Sequence, residues 1–396
     1  METSAPELIP GLPDCLAREC LLRLPFHALR VARNVSKKWK EEITSASFYR
    51  LRKAAGFACP VVAVLLIGGL PPSLASDDDD DDDDEEINAF LFPSYIKVAL
   101  FEPLTGVWTE VPAILGRACY PISCCYMAAV GHELVLIIDC DSRVTKLNAE
   151  VHVYNMIAGT WRQGKSMPPL LRRYGAAYAS GLGAVFLAGG YDLRNRCLNS
   201  ALSYDVAADE WALLPNMSRP LGRRSCEGMF ANGAFRVLET RPYQNGLWSA
   251  DEFDVEAGHW KKSERKIESA FCMAAAEGRE YMCRDGGPRK LEVLEFVGGG
   301  GGDGGAGKVL DTHGGTVDGW QRIGVLPCDG LRPMYMMAWD GGIMVCHWQA
   351  SFVLEIGGGA TATAAAPEKN KWKRIEWSDD LNYKQFPCIF LLKLMC

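Results

Sequence analysis

The sequence predicts a small all-α module of three short helices at the N-terminus, followed by an all-β propeller of six blades that a C-terminal strand closes. Three observations lead to this fold class. Apolar residues recur with helical spacing over roughly 40 N-terminal residues, and six tryptophans then recur at intervals of about 50 residues. The last of these six tryptophans is followed by a strand-like segment, residues 386–394, that no repeat uses.

The first predicted helix begins at a proline. Pro13 suits a first helical turn, because its missing N–H would have no partner there in any case. Leu16, Cys20 and Leu24 follow at every fourth residue, with Leu21 beside them. This spacing predicts one apolar stripe, which packs against the rest of the module or against a partner.

Two more helices follow. Pro25 ends the first helix and opens the second. Ser36 is a good N-cap for the third, in which Trp39 and Ile43 are four residues apart on one face. Three such helices form a core too small to be robust alone, so we expect a partner surface to complete their burial.

Residues 1–50 resemble the F-box in the order and spacing of five elements. These are Leu12-Pro13-Asp14, Glu19-Cys20-Leu21, Leu24-Pro25, Val35-Ser36-Lys37-Lys38-Trp39 and Phe48. One departure is Cys20, where the family usually has Ile. The resemblance implies docking on the Skp-type adaptor of a cullin-based ubiquitin ligase; the alternative is a free-standing cap on the propeller. The implied adaptor-binding residues are Leu12, Pro13, Leu16, Cys20, Leu21, Leu24, Pro25, Val35, Ser36 and Trp39.

The tryptophans mark a repeated hairpin. They lie at Trp108, Trp161, Trp211, Trp260, Trp320 and Trp372. The first four have an aromatic residue seven positions upstream, namely Phe101, Tyr154, Tyr204 and Phe253. Seven residues suffice for a strand to end, turn and return, so each pair predicts two neighbouring strands.

A second pair of candidate strands precedes each hairpin. The clearest lies in residues 174–190, where apolar runs flank a Gly-rich turn. Four short strands in about 50 residues are typical of a propeller blade. Gly189, Gly190, Tyr204 and Trp211 occupy positions of the kelch repeat, so residues 51–396 resemble a kelch propeller. Other blades depart from the glycine pair, with Ile138-Asp139, Leu238-Glu239 and Arg284-Asp285 in its place.

Strand counting predicts how the ring closes. The first tryptophan unit has only "VVAVLLIGG" before its hairpin and so lacks one strand. Placing Phe386–Leu394 in that blade supplies the strand and removes the unpaired edges of a split ring. We therefore expect six blades joined by the C-terminus.

Three insertions interrupt the repeats and are expected to be loops. They are an acidic loop at residues 73–88, expected to be disordered, a Gly-rich loop at 297–308 and a Gly/Ala-rich loop at 357–368. The acidic block carries ten negative charges, so the remaining chain is about +3 although the net charge is −7. The block is typical of a solvated loop, and binding of basic partners is the alternative.

The remaining patterns give no sign of chemistry, and we expect no catalytic residue, cofactor or metal. Gly302, Gly307 and Lys308 match most of a phosphate loop, but Val309 lacks the hydroxyl that binds magnesium. The 15 cysteines include no Cys-x-x-Cys pair and are typical of core residues, although a Cys–His pair that meets only in space stays open.

The sequence also lacks the patterns expected for nucleic-acid binding, membrane insertion and secretion. No Lys/Arg-dense segment indicates nucleic-acid binding, and the longest apolar run is too short to span a membrane. The N-terminus has no secretory-signal pattern, so we expect the chain in the cytoplasm, the nucleus or both.

An F-box followed by kelch blades resembles the plant F-box/kelch proteins. The resemblance implies a non-catalytic substrate receptor, which binds adaptor, cullin and RING subunits through the F-box and a protein target through the propeller. It also implies that the target is ubiquitinated and then degraded by the proteasome. The chain resembles receptors for phenylalanine ammonia-lyase, in phenylpropanoid regulation, or type-B response regulators, in cytokinin signalling. A kelch scaffold that works without its F-box and, less expected, a propeller enzyme are the alternatives.

Arginines recur just before the first strand of several blades. They are Arg117, Arg172, Arg173, Arg223, Arg224 and Arg332. Because blades repeat around an axis, we expect these positions on one face of the ring, where they would bind acidic surfaces of a target. The alternative is that they brace neighbouring loops.

Overall fold

Helices precede strands along the chain. The structure, a computed structural model, describes residues 7–68, 93–103, 105–114, 120–140, 149–168, 176–192, 196–221, 226–239, 250–263, 270–276, 278–286, 290–297, 320–327, 335–339, 342–346, 350–355, 372–376 and 388–395. The helices are α1 (Asp14–Leu22), α2 (Phe26–Ala32), α3 (Lys37–Thr44) and α4 (Ala46–Ala54). None of the helices in these residues is long and apolar enough to cross a membrane.

The predicted starts of the three helices are confirmed, whereas α1 ends at Leu22, before the predicted end at Pro25. Pro13 and Pro25 are the residues that directly precede α1 and α2. Ser36 caps α3, since its hydroxyl accepts a hydrogen bond from the backbone N–H of Trp39 at 3.1 Å. Local chemistry alone therefore locates the starts of the first three helices.

The prediction of three helices is wrong by one, because α4 was missed. Ser45 caps α4 by accepting from the N–H of Phe48 at 3.1 Å. The side chains of α4 that face the core are Phe48 and Arg52, four residues apart. A charged residue at a buried position breaks the apolar pattern, and for this reason periodicity did not reveal the helix.

Within the residues that the structure describes, twenty-four strands build the propeller. Blade one contains β1 (Pro60–Gly68), β2 (Pro93–Glu102), β3 (Val107–Glu110) and β24 (Cys388–Met395); blade two, β4 (Tyr120–Val130), β5 (Glu133–Cys140), β6 (Glu150–Asn155) and β7 (Thr160–Gly164); blade three, β8 (Ala177–Gly181), β9 (Ala184–Ala188), β10 (Ala201–Asp205) and β11 (Glu210–Leu214). Blade four contains β12 (Cys226–Ala231), β13 (Ala234–Glu239), β14 (Ala250–Asp254) and β15 (His259–Ser263); blade five, β16 (Ala270–Ala276), β17 (Arg279–Asp285), β18 (Lys290–Phe296) and β19 (Trp320–Pro327); blade six, β20 (Tyr335–Trp339), β21 (Gly342–Cys346), β22 (Ala350–Glu355) and β23 (Trp372–Glu376).

The six blades and the closing strand are confirmed. β24 pairs antiparallel with β1, from Pro60 opposite Met395 to Ile67 opposite Cys388. The innermost strands β4, β8, β12, β16, β20 and β24 each contact the next around the ring, and β24 contacts β4. The chain therefore closes the ring by completing its first blade with its last strand, which leaves no open edge between the two ends.

The aromatic–tryptophan pairs lie directly opposite each other across the hairpins, as the seven-residue spacing predicts. In blade three, Tyr204 faces Trp211 with ring centroids 5.0 Å apart. The same register occurs in blades one, two and four. It continues in blades five and six, where Phe296 faces Trp320 and Leu354 faces Trp372 across the two Gly-rich insertions. The insertions hide these two pairs in the sequence.

The tryptophans also join neighbouring blades. The indole N–H of Trp161 donates to the carbonyl of Pro112 at 2.7 Å, at the end of blade one. Trp211 donates to Lys165 and Trp260 to Pro215 in the same way, at 2.8 and 2.7 Å. Each of these bonds ties the last strand of one blade to the chain leaving the blade before it, so one residue type serves both packing and ring assembly.

The antiparallel order gives the ring two different ends. Blades two to six join strands one to two and three to four at one end of the ring, where blade one joins β2 to β3. We call this end the turn face, and it includes residues 131–132, 156–159, 182–183 and 206–209. The other connections leave from the opposite end, which we call the loop face and which includes the end of β1 and the starts of β4, β8 and β12.

Candidate adaptor-docking surface

Helix α1 has apolar residues on two different faces. Ala17, Leu21 and Leu22 are buried in the core of the helical module. Leu16 is 52% exposed and Cys20 is also exposed. Of the predicted stripe, Leu24 is partly buried against the module core, whereas Leu16 and Cys20 are not, so for these two only the predicted packing against a partner stays open. The helix presents a second apolar surface to whatever lies outside the module.

The other predicted adaptor-binding residues divide into two groups. Leu12, Leu24 and Trp39 are partly buried against the module core, and the Trp39 indole donates to the carbonyl of Leu8 at 2.7 Å. Pro25 is partly buried, whereas Pro13 and Ser36 are exposed beside the helix starts. The first three residues shape the module, and the exposed ones remain available to a partner.

Large apolar side chains are exposed on the module beyond those predicted. Val35, which was predicted, is 65% exposed, and Val31 and Leu51, which were not, are 68% and 45% exposed. Across the described residues, only Leu182, Leu213 and Val297 join these and Leu16 as exposed large hydrophobic residues. The short helical module thus holds four of the seven, which is the distribution expected where a partner docks.

Two arginines hold the module together. Arg18 of α1 pairs with Glu42 of α3, with Nε 2.5 Å from Oε1, and this hydrogen bond raises the pKa of Arg18. The buried Arg52 of α4 donates to the carbonyls of Leu22 and Leu24, the latter at 2.7 Å. These carbonyls lie at the end of α1 and two residues beyond it, so a charged side chain satisfies backbone groups that the helix leaves open.

The module is seated on the turn face of blades one and two. Phe26, the first residue of α2, is buried in the propeller core with Val98, Leu100, Tyr154 and Met156. The ring of Tyr49 in α4 lies 4.8 Å from that of His132, in the first turn of blade two. The helical module therefore keeps its own core and inserts one residue, Phe26, into the core of the propeller.

A buried carboxylate completes this junction. Glu102, at the end of β2, accepts from the backbone N–H of Phe26 at 2.8 Å, and its other oxygen lies 2.5 Å from Nδ1 of His27. Thr105 donates to it at 2.9 Å. Burial alone would raise the pKa of Glu102, but the hydrogen bonds from His27, Phe26 and Thr105 outweigh burial and lower that pKa.

Arginines of α2 and its C-cap reach the propeller as well. Arg33 donates to the carbonyl of Ile157 at 3.1 Å, and its guanidinium lies where a side chain at Gly159 would be. Gly159 has φ of +65°, a conformation that favours glycine. Arg30 donates to the carbonyl of Glu110 at 3.1 Å. Sequence reasoning missed all of these junction residues.

Comparison with known proteins decides the family. The F-box domain pattern matches residues 9–51, and the Kelch motif matches residues 172–218. The F-box/kelch-repeat protein At1g15670 of Arabidopsis thaliana is 32% identical over 356 residues, which cover 87% of this chain and 89% of that protein. This chain belongs to the plant F-box/kelch-repeat proteins. A second Arabidopsis member, At1g80440, is 28% identical over 86% of this chain and 87% of its own length.

The F-box and kelch matches coincide with structural units. The F-box match ends inside α4, and the kelch match surrounds blade three, from Ala177 to Leu214. Gly189 and Gly190, the predicted kelch glycine pair, directly follow β9, the second strand of that blade, with φ of +70° and +82°. Blade three is thus the repeat in which the kelch pattern is best preserved.

Several predicted features lie outside the described residues of this F-box/kelch protein. They are Arg117, Arg172, Arg173, Arg223, Arg224 and Arg332, and almost all of the three loops. The strand ends that flank the arginines lie on the loop face, since each arginine falls between the last strand of one blade and the first strand of the next. Among the described residues, no three His, Cys, Asp or Glu side chains are grouped as metal ligands.

Proposed function

We propose that this F-box/kelch protein is the substrate-recognition subunit of an SCF-type ubiquitin ligase. The helical module would bind the Skp-type adaptor, and through it the cullin and RING subunits. The kelch propeller would bind a protein target for ubiquitination and proteasomal degradation. The observation that supports this proposal most directly is the second apolar surface of α1, because Leu16 and Cys20 remain exposed although Phe26 anchors the module in the propeller core.

The chain needs no catalytic residue for this function. Ubiquitin transfer is carried out by other subunits, and a receptor contributes by holding the target near them, which replaces an encounter in solution by a local one. The propeller suits this role because its closed ring positions surface connections on a rigid scaffold. We therefore regard the protein as a non-catalytic component of the ligase.

Adaptor binding is tested by the exposed face of α1. Leu16→Glu places a charge on that face without entering the module core, and we expect it to weaken binding of the purified adaptor at least tenfold. Leu213→Glu is the matched control, because Leu213 is equally apolar and 66% exposed but lies on β11 of blade three. Equal binding by the wild-type protein and both variants would refute adaptor docking on α1.

Leu16→Glu also distinguishes the proposed receptor function from the alternative of a scaffold that works without its F-box. An F-box-independent scaffold keeps its cellular activity when Leu16→Glu is introduced, whereas a receptor loses it. Co-purification from plant cells with and without proteasome inhibition adds a second criterion. We expect adaptor and cullin in both samples and the target mainly when degradation is blocked.

We infer that the target binds the loop face of the ring. The helical module covers part of the turn face at blades one and two, and the arginine-bearing connections start and end at the loop face. Arg117, Arg172, Arg173, Arg223, Arg224 and Arg332 are the proposed target-binding residues. Reversal of Arg172 and Arg223 to Glu should abolish target capture and leave adaptor binding intact. Capture that survives the reversal favours a bracing role for these arginines.

Phenylalanine ammonia-lyase and type-B response regulators are the candidate targets, and binding of each purified protein tests them. The proposed site of action is the cytoplasm, the nucleus or both. Its support is that the buried Cys272, Cys283 and Cys346 are free thiols, as expected in a reducing compartment.

A further inference from the structure

The residue that follows the blade aromatic differs between blade one and the three blades after it. In blades two, three and four this residue is Asn155, Asp205 or Asp254. Its side-chain oxygen accepts backbone N–H groups two and three residues on, as Asp205 does from Ala207 and Ala208 at 2.9 and 2.8 Å. These side chains stabilise their own turns.

Blade one has Glu102 at the equivalent position, and its carboxylate has different partners. The glutamate is one methylene longer than aspartate, and its oxygens contact Phe26 and His27 of α2, 76 and 75 residues away in the chain. Within its own turn, the Glu102 carboxylate accepts a hydrogen bond from the hydroxyl of Thr105 at 2.9 Å. A local turn residue has therefore become a contact between two modules in the one blade of these four that carries Glu.

The neighbouring blade supplies a second contact at the same junction. Asn155 shapes its turn by accepting from the N–H groups of Ile157 and Ala158 at 3.1 and 2.8 Å. That turn presents the Ile157 carbonyl to Arg33. The module is thus held at two points on adjacent blades, together with the buried Phe26, and two separated contacts resist rotation better than a single one.

We propose that Glu102 is a positioning residue, which fixes the orientation of the helical module, and with it the docked ligase, relative to the target-binding propeller. This inference rests on the receptor function proposed above. A bound target can receive ubiquitin only where the ligase reaches it, so the angle at the junction determines which lysines are modified.

Glu102→Asp separates positioning from a local role in the turn. Aspartate is the residue that blades three and four use at this position, so the turn of blade one stays satisfied while the shorter side chain no longer reaches α2. The control is Asp205→Ala, which removes the equivalent turn contact in blade three. If Glu102 only stabilised its own turn, Asp205→Ala would destabilise the protein more than Glu102→Asp does.

The first measurement is hydrogen exchange of the full chain. Positioning by Glu102 predicts about tenfold faster exchange at the amides of Phe26, Ala28 and Leu29 in Glu102→Asp, the factor expected for loss of one helix cap. The propeller strands and the Asp205→Ala variant should keep wild-type exchange in α2. Wild-type exchange in α2 of Glu102→Asp would overturn the proposal.

The second measurement follows ubiquitin itself, with the receptor's own propeller lysines as the probe. The complex is reconstituted from the full chain, adaptor, cullin, RING subunit and a ubiquitin-loaded conjugating enzyme, and modified sites are quantified by mass spectrometry. Exposed sites include Lys165, Lys261, Lys262, Lys290 and Lys373. We expect Glu102→Asp to change the share of at least one site about threefold or more, with adaptor affinity unchanged.

The outcomes distinguish the two proposals. A wild-type chain that does not bind the adaptor, or receives no ubiquitin, refutes the receptor function. Adaptor binding and ubiquitin transfer with the same site distribution in wild type and Glu102→Asp refute positioning, even if exchange in α2 is faster, because Glu102 is then only a structural contact. A redistribution in Asp205→Ala equal to that in Glu102→Asp also refutes it.

Discussion

The propeller and the helical module bury their apolar residues in different ways. Each blade sits between two others in a closed ring, and core residues such as Val135, Leu187 and Val293 are fully buried by neighbouring blades. The helices have no such neighbours: they bury Phe26 in the propeller and leave Leu16 exposed. The propeller is complete as a fold, whereas four short helices need a partner on each side.

The largest expected effect is at the residue where the two cores join. Phe26→Ala removes a buried aromatic ring and should lower the free energy of unfolding by about 3–5 kcal/mol. Because that ring couples the modules, we also expect the helices to unfold before the propeller, as two transitions in denaturant monitored by circular dichroism. A single transition with an unchanged midpoint would show that the junction contributes nothing to stability.

The next effect is expected inside the module. Arg52→Met keeps most of the side-chain volume but removes the donor to the carbonyls of Leu22 and Leu24. Buried hydrogen bonds from a charged group contribute about 1.5–3 kcal/mol each, so the helical transition should shift clearly. Arg50→Met, at an exposed position on the same helix, is the control, and an equal shift in both variants would contradict the capping role.

A pair of glycine substitutions measures how much the contact between Arg33 and the turn at Gly159 stabilises the protein. Gly159 and Gly183 both have positive φ, +65° and +82°, but only Gly159 lies against a guanidinium, since nothing is within 4 Å of a side chain at Gly183. Both changes to Ala introduce backbone strain of about 1 kcal/mol. Gly159→Ala should lose roughly another 1 kcal/mol by displacing Arg33. Equal melting temperatures for the two variants would show that Arg33 adds no stability.

The smallest expected effect depends on pH and lies in the propeller. Burial raises the pKa of Glu227 on β12 to about 7, although the Met273 N–H donates to its carboxylate. A raised carboxyl pKa stabilises the folded protein at low pH, and this contribution is lost as pH rises through 7. Glu227→Gln should therefore melt roughly 2–4 °C above wild type at pH 8 and close to it at pH 5. The exposed Glu256→Gln serves as control, and a gain at both pH values would contradict the ionisation of Glu227.

Features with a local or periodic cause were predictable. Pro13, Pro25 and Ser36 mark helix starts through their own backbone chemistry. The seven-residue spacing predicts the hairpins because a turn and two strand ends occupy that length, and a missing strand at one end of a ring implies a spare one at the other. The spacing fails in blades five and six, where insertions separate Phe296 from Trp320.

Features with a non-local cause were not predictable. Helix α4 was not predicted because one of its buried positions is charged. Arg52 is buried there because it donates to two carbonyls about 30 residues away. The sequence left open which side of α1 faces the module core, because a second apolar surface follows the same helical period as the core.

By itself the sequence determined the number of blades, the closing strand and the existence of an F-box-like helical module, because each depends on spacing along the chain. Only the tertiary structure decided which side of α1 is exposed, which face of the ring carries the helices and that Glu102 binds α2. Those properties depend on residues far apart in sequence that meet only when the ring closes, and no local pattern encodes such a meeting.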